Sequence, residues 1–160
     1  MLGRAVPARP IALDPCAVAQ VPLAEAARLL LERARSTPGE VLGMPAHRWY
    51  VLQAGNTGPA GRAFLREIWA TEPDPARRVD IAVACAFDRS DVTRAFLASI
   101  VSGERATPLE VLHAADLLVH KGPAFEVAPL LKRVALATSD ARVRPALDCL
   151  LRTWYGREAL

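Results

Sequence analysis

Positions 62–68 and 94–100 of this 160-residue chain carry the same apolar frame. Arg62-Ala63-Phe64-Leu65 leads to Ile68, and Arg94-Ala95-Phe96-Leu97 leads to Ile100, an ungapped step from position 62 to position 94 of 32 residues. A looser third copy, Leu130-Leu131 with Val134, follows 34 residues beyond Leu97. Gly58-Pro59-Ala60 returns as Gly122-Pro123-Ala124, each time just ahead of one of these segments. Spacings of three and four between the apolar residues are those of a helix with one buried face. A repeat of this length means that one helical unit stacks on copies of itself, because no single unit can bury its own apolar side.

A start signal precedes each copy. Pro45 is expected to open a helix over 46–54, which Gly55 ends. Asp74-Pro75 opens one to Phe87, with Asp74 as N-cap and Pro75 in the first turn, where its missing N–H costs nothing. Thr107-Pro108 opens one to His120, ended by Gly122, and Asp140 opens a last one to Tyr155, ended by Gly156. Upstream, Leu23, Ala26, Ala27, Leu30 and Leu31 form a further helical stripe that stops at Ser36-Thr37-Pro38-Gly39. Residues 1–21, broken by Pro7, Pro10 and Pro15, read as an extended N-terminal arm without the apolar run of a secretory leader. Residues 22–160 then form one all-α domain, an α-α superhelix of antiparallel pairs with units at about 45–72, 74–103, 107–138 and 140–156.

These residues resemble HEAT repeats. Asp140-Ala141-Arg142-Val143-Arg144-Pro145-Ala146-Leu147 is similar to the family's opening of a first helix, and Asp74, Arg77, Arg78 and Val79 echo it. The step is that of short bacterial repeats, and the Thr107 unit lacks the Asp and Arg marks. Tetratricopeptide repeats share the period, but their Trp, Gly-Tyr and Pro positions are not matched. The resemblance implies a scaffold that binds macromolecules along a superhelical wall; a minority of the family acts on bilins or DNA.

Composition agrees with packed helices. Hydrophobic residues make up 52%, but aromatic residues only 6%, which is too few for a sandwich or barrel. Twenty basic against 17 acidic residues leave a net charge of +3, well short of the concentrated stripe that nucleic-acid binders carry. Cys16, Cys85 and Cys149 are odd in number and widely spaced, so neither a disulfide framework nor a metal knuckle is expected. A cytoplasmic, bacterial setting follows as the expectation, with no membrane span.

No catalytic constellation stands out. His113 and His120 lie seven apart on one helix, with Asp116 between them, and His47 is remote, so surface or packing roles are expected and no metal or cofactor. Cys85 and Cys149, set among Ala, Val and Leu, are expected to be buried and inert. Gly55-Asn56-Thr57-Gly58-Pro59 lacks the Lys-Ser/Thr of a phosphate loop and reads as a turn between helices. Phe64 and Phe96 read as core positions, and Trp154-Tyr155 as the seal of the last helix.

The remaining feature is a bias of charge. Aligning the second helices sets Arg62 with Arg94, Arg66 with Lys132, and Glu67 with Arg133, while Trp69 follows Arg62 and Arg66 along one stripe. The expected function is therefore a non-enzymatic scaffold or adaptor. An acidic protein segment would dock on the concave second-helix surface at Arg62, Arg66, Arg94, Lys132 and Arg133, with Trp69 as apolar anchor. The alternative is a nucleic-acid-binding or DNA-repair solenoid.

Overall fold

A computed structural model describes residues 22–156. Eight helices follow in order: α1 (Leu23–Ser36), α2 (Ala46–Asn56), α3 (Pro59–Thr71), α4 (Pro75–Cys85), α5 (Asp91–Val101), α6 (Pro108–Lys121), α7 (Ala124–Ala137) and α8 (Val143–Tyr155). Between α1 and α2 lies a hairpin of two short strands, β1 (Glu40–Val41) and β2 (Met44–Pro45), the only sheet among the described residues. The all-α class stands. The arm expected over residues 1–21 lies outside the described residues.

The start signals act as their chemistry dictates. The Asp74 carboxylate accepts from the Ala76 N–H at 2.9 Å, and the Ser90 hydroxyl from the Thr93 N–H at 3.2 Å. Thr107 and Glu110 form a reciprocal capping box at the head of α6. Asp140 accepts from the Arg142 N–H at 2.8 Å and so gathers the turn that leads into α8. Helix α7 keeps Pro129 in its interior, on the exposed side, where the ring removes the N–H that would reach the Phe125 carbonyl.

Each odd-numbered helix packs on the even one that follows: α1 on α2, α3 on α4, α5 on α6, α7 on α8. The tightest sequential pairs are thus offset by one helix from the units at 45–72, 74–103 and 107–138. The even helices also touch one another in series, α2 to α4 to α6 to α8. In the odd series α1 packs on α3, but α5 and α7 meet only slightly. One layer is closed, and the other opens beyond α3, since α3 and α5 meet no more closely than α5 and α7.

Two clusters make the core. The first joins α1 to α4 around Val51, Leu65, Ile81 and Cys85; the second runs from α4 to α8 around Leu97, Leu118, Leu131 and Leu147. Trp69 and Phe96 belong to the edge of both. The repeat-core expectation shifts by one residue here. Leu65 and Leu97 are wholly buried, whereas Phe64 and Phe96 are only partly so.

Gly55 corrects a second expectation, because it does not end α2 but lies inside it, buried. A Cβ there would stand 2.5 Å from the Ala84 carbonyl oxygen and 3.0 Å from its carbon. The missing side chain is what lets α2 cross α4 so closely. In an open helix Gly→Ala gains roughly 1 kcal/mol. Here Gly55→Ala is expected to lose about 1–3 kcal/mol instead, since backbone cannot yield as a side chain can. Ala84→Gly should not rescue it, because the obstructing oxygen remains. A variant that melts higher than wild type would mean that the two helices do not cross at this point.

The hairpin was not anticipated. Its tip holds Leu42 at φ 53° and Gly43 at φ 75°, the two left-handed residues of a type I′ turn. Leu-Gly is a poor signal for that turn, which ordinarily takes Asn-Gly.

Candidate docking surface

The six side chains of the expected basic edge have different fates. Arg62, on α3, reaches Asp88 at 2.5 Å and donates to the Gly55 carbonyl at 3.2 Å, and its side chain is 12% exposed. Asp88 also accepts from the Ser90 N–H at 3.0 Å and from the Ser90 and Thr93 hydroxyls, each at 2.7 Å. Burial pushes this carboxyl's pKa up, but those donors and Arg62 outweigh it and hold the group well below the usual range. Arg62 is a tie between the α2 terminus and the loop after α4.

Trp69 is equally committed. Its ring stands edge-on to Phe96 at 5.7 Å, and the Arg78 guanidinium lies over it at 5.7 Å. The indole Nε1 is buried and finds no acceptor among the described residues. Partly buried between both core clusters, Trp69 is a seam and not an exposed anchor, and truncating it would cost stability. Arg94 donates to the Arg89 carbonyl at 2.8 Å, pairs with Asp91, and stands 3.9 Å from Glu126 across the α5–α7 gap. Arg66 is partly buried beside Cys85, where its charge acts on the thiol.

Lys132 and Arg133 alone remain as the edge was drawn. Both are exposed on α7, and neither forms an ion pair or hydrogen bond among the described residues. Around them the structure adds what helical spacing by itself did not single out. Phe125 is 78% exposed and Leu136 is 66% exposed, and with Pro129 they form a stripe along α7 that includes Lys132. Beside this ridge, a cleft of about 330 Å³ separates α5 from α7, lined by Arg94, Ala95, Ala98, Leu118, Val127 and Leu130. Small residues on α5 leave the space, and Arg94 with Glu126 spans it. The repeat step does not mark the ridge, because at 34 residues Phe125 answers to Asp91 and not to an apolar residue.

His47 Nδ1 lies 3.2 Å from Asp80 on the next even helix. His113 is exposed, and His120 meets the Trp154 ring edge-on at 4.2 Å. Among the described residues no three metal-ligating side chains converge, and no helix is long and apolar enough to cross a membrane.

Cys85 is buried, as expected, and burial pushes its thiol up to about 12 despite nearby Arg66 and Arg62. Cys149 overturns the expectation, for it is exposed. Val143, Leu147 and Leu151 define the buried stripe of α8, and position 149 falls roughly opposite. A thiol reagent at pH 8 should therefore label Cys149 fast and Cys85 only on unfolding, read residue by residue in digested protein. Rapid native labelling of Cys85 would contradict its burial.

No protein family, curated protein or solved structure matches the chain.

Proposed function

We propose that the chain is a HEAT-like α-solenoid that works as a non-enzymatic protein-interaction scaffold, with its partner seated on the layer of second helices, α3, α5 and α7. The observation that carries this reading is the difference between the two layers. The even helices close on one another from α2 to α8, while α5 and α7 stand apart over an apolar-floored cleft. A stacked architecture has no need to leave such a gap for its own stability, and the apolar surface lining it lowers its free energy when a partner covers it. The partner surface is then a cleft between neighbouring second helices and not a smooth concave wall. Two arginines of the basic edge, Arg62 and Arg94, are already paired with the chain's own carboxylates, which takes support from the nucleic-acid alternative.

Full-length protein should retain a specific protein from an extract of its native host, with retention lost in Ala95→Arg, which fills the cleft from an exposed position. Arg144→Glu, at an exposed position of α8, should retain it as wild type does. Equal retention by all three proteins would overturn the reading, as would steep, salt-sensitive binding to duplex DNA of any sequence.

A further inference from the structure

The α7 ridge sets exposed apolar and charged groups in a defined order along one helix face. Phe125 and Leu136 stand at its ends, and Lys132 and Arg133 lie between them with no counter-charge among the described residues. Eleven positions separate the two apolar residues, which on a helix is about 16 Å, and that spacing returns to nearly the same face. Pro129 sits within the stripe and leaves the Phe125 carbonyl without its intrahelical donor. Other exposed apolar residues, such as Leu109 on α6 or Leu42 on the hairpin, have no such arrangement around them.

A second copy of this chain is a poor occupant. Two ridges crossing about a two-fold axis would match Phe125 with Leu136 but bring Lys132 and Arg133 of both copies together near the axis, unpaired. An acidic occupant resolves that. On the reading that the second-helix layer binds protein, we infer that the α7 ridge takes an acidic amphipathic helix of its partner. Two apolar residues about eleven positions apart seat on Phe125 and Leu136, and carboxylates between them meet Lys132 and Arg133. The apolar ends supply most of the affinity, while the charges set orientation, on-rate and salt dependence. The adjoining α5–α7 cleft receives one further apolar side chain from the same helix.

Panning a random 16-residue peptide library on the immobilised full-length protein tests this. Enriched peptides are expected to place apolar residues ten to twelve apart with Asp or Glu between them. A fluorescein-labelled synthetic copy should bind at least tenfold more weakly to Phe125→Ala and to Leu136→Ala. Both side chains are largely exposed, so these variants should melt as wild type does. Lys132→Glu with Arg133→Glu should reverse the preference, rejecting the acidic peptide and accepting its Lys counterpart. Peptides that bind equally to all these variants but fail on Ala95→Arg would overturn the ridge and keep the scaffold reading. Enrichment of nothing, or loss of binding in none of the variants, would overturn both. Probes that bind only after residues 2–21 are deleted would seat the chain's own N-terminal segment there and overturn the inference. A dimer in sedimentation that Phe125→Ala dissolves would do the same in favour of a second copy.

Discussion

Arg78→Met is expected to cost about 3–5 kcal/mol, the most of any single change considered, because it strands a buried carboxylate. Glu110 is 2% exposed. It accepts from Arg78 Nε at 2.5 Å and Nη2 at 3.0 Å, and from the Thr107 N–H and hydroxyl at 2.7 Å each. Arg78 in turn donates to the Glu72 carbonyl at 3.4 Å and covers the Trp69 ring, so one guanidinium holds α3, α4 and α6 together. In the variant the carboxylate keeps Thr107 but loses the bidentate charge partner. Urea denaturation monitored by circular dichroism reads the loss directly. Adding Glu110→Met should restore much of it, since removing both partners of a buried pair costs far less than removing one. If the double variant is no better than Arg78→Met alone, the two residues are not coupled as described.

The pair also sets a pH dependence. Burial raises the Glu110 pKa, but Arg78 and Thr107 together outweigh it, and the folded carboxyl lies below its ordinary value. A group depressed in the folded state stabilises above its unfolded pKa of about 4.3, and that contribution is lost as pH falls through the folded value. Wild-type stability should therefore decline on acidification below about pH 4. In Arg78→Met the Glu110 share of that decline should shrink, because the main group holding the pKa down is gone.

Leu97→Ala should lose about 2–5 kcal/mol, as a wholly buried leucine does when a cavity replaces it. Leu65→Ala belongs in the same range, while Phe64→Ala and Phe96→Ala should cost less than a fully buried aromatic would. Thermal melts of the four single variants place the buried stripe to within one residue. If the two phenylalanine variants fall furthest, the helices are rotated from the orientation described.

How much of this was legible follows from what each residue answers to. Helix ends depend on neighbours a few positions away, so Asp74-Pro75 and Thr107-Pro108 marked two starts correctly and Gly122 a stop. Two polar contacts fall at nearly the repeat step: His47 meets Asp80 and Arg78 meets Glu110 at separations of 33 and 32, each joining one even helix to the next. A pattern search for charges at the repeat step would have found both. Nothing local foretold that Gly55 lies within a helix, because the reason is the Ala84 backbone on another element.

The basic edge shows the same division. Alignment put Arg62, Arg66, Arg94, Lys132 and Arg133 on comparable stripes, which is a statement about direction from a helix axis. Which of them meets a partner depends on the distance to the next helix. Arg62 has Asp88 and the Gly55 carbonyl in reach and Arg94 has Glu126, whereas the α7 cations are exposed and pair with no described residue.

The sequence by itself determined the all-α class and the places where most helices begin, since capping and helical period are written in short stretches of chain. The tertiary structure alone decided which helices pair most closely, that Trp69 joins the two halves of the core, and that Phe125, Lys132, Arg133 and Leu136 are left uncovered. Those outcomes depend on which surfaces meet across gaps of a few ångströms, and no periodicity along one chain encodes that distance.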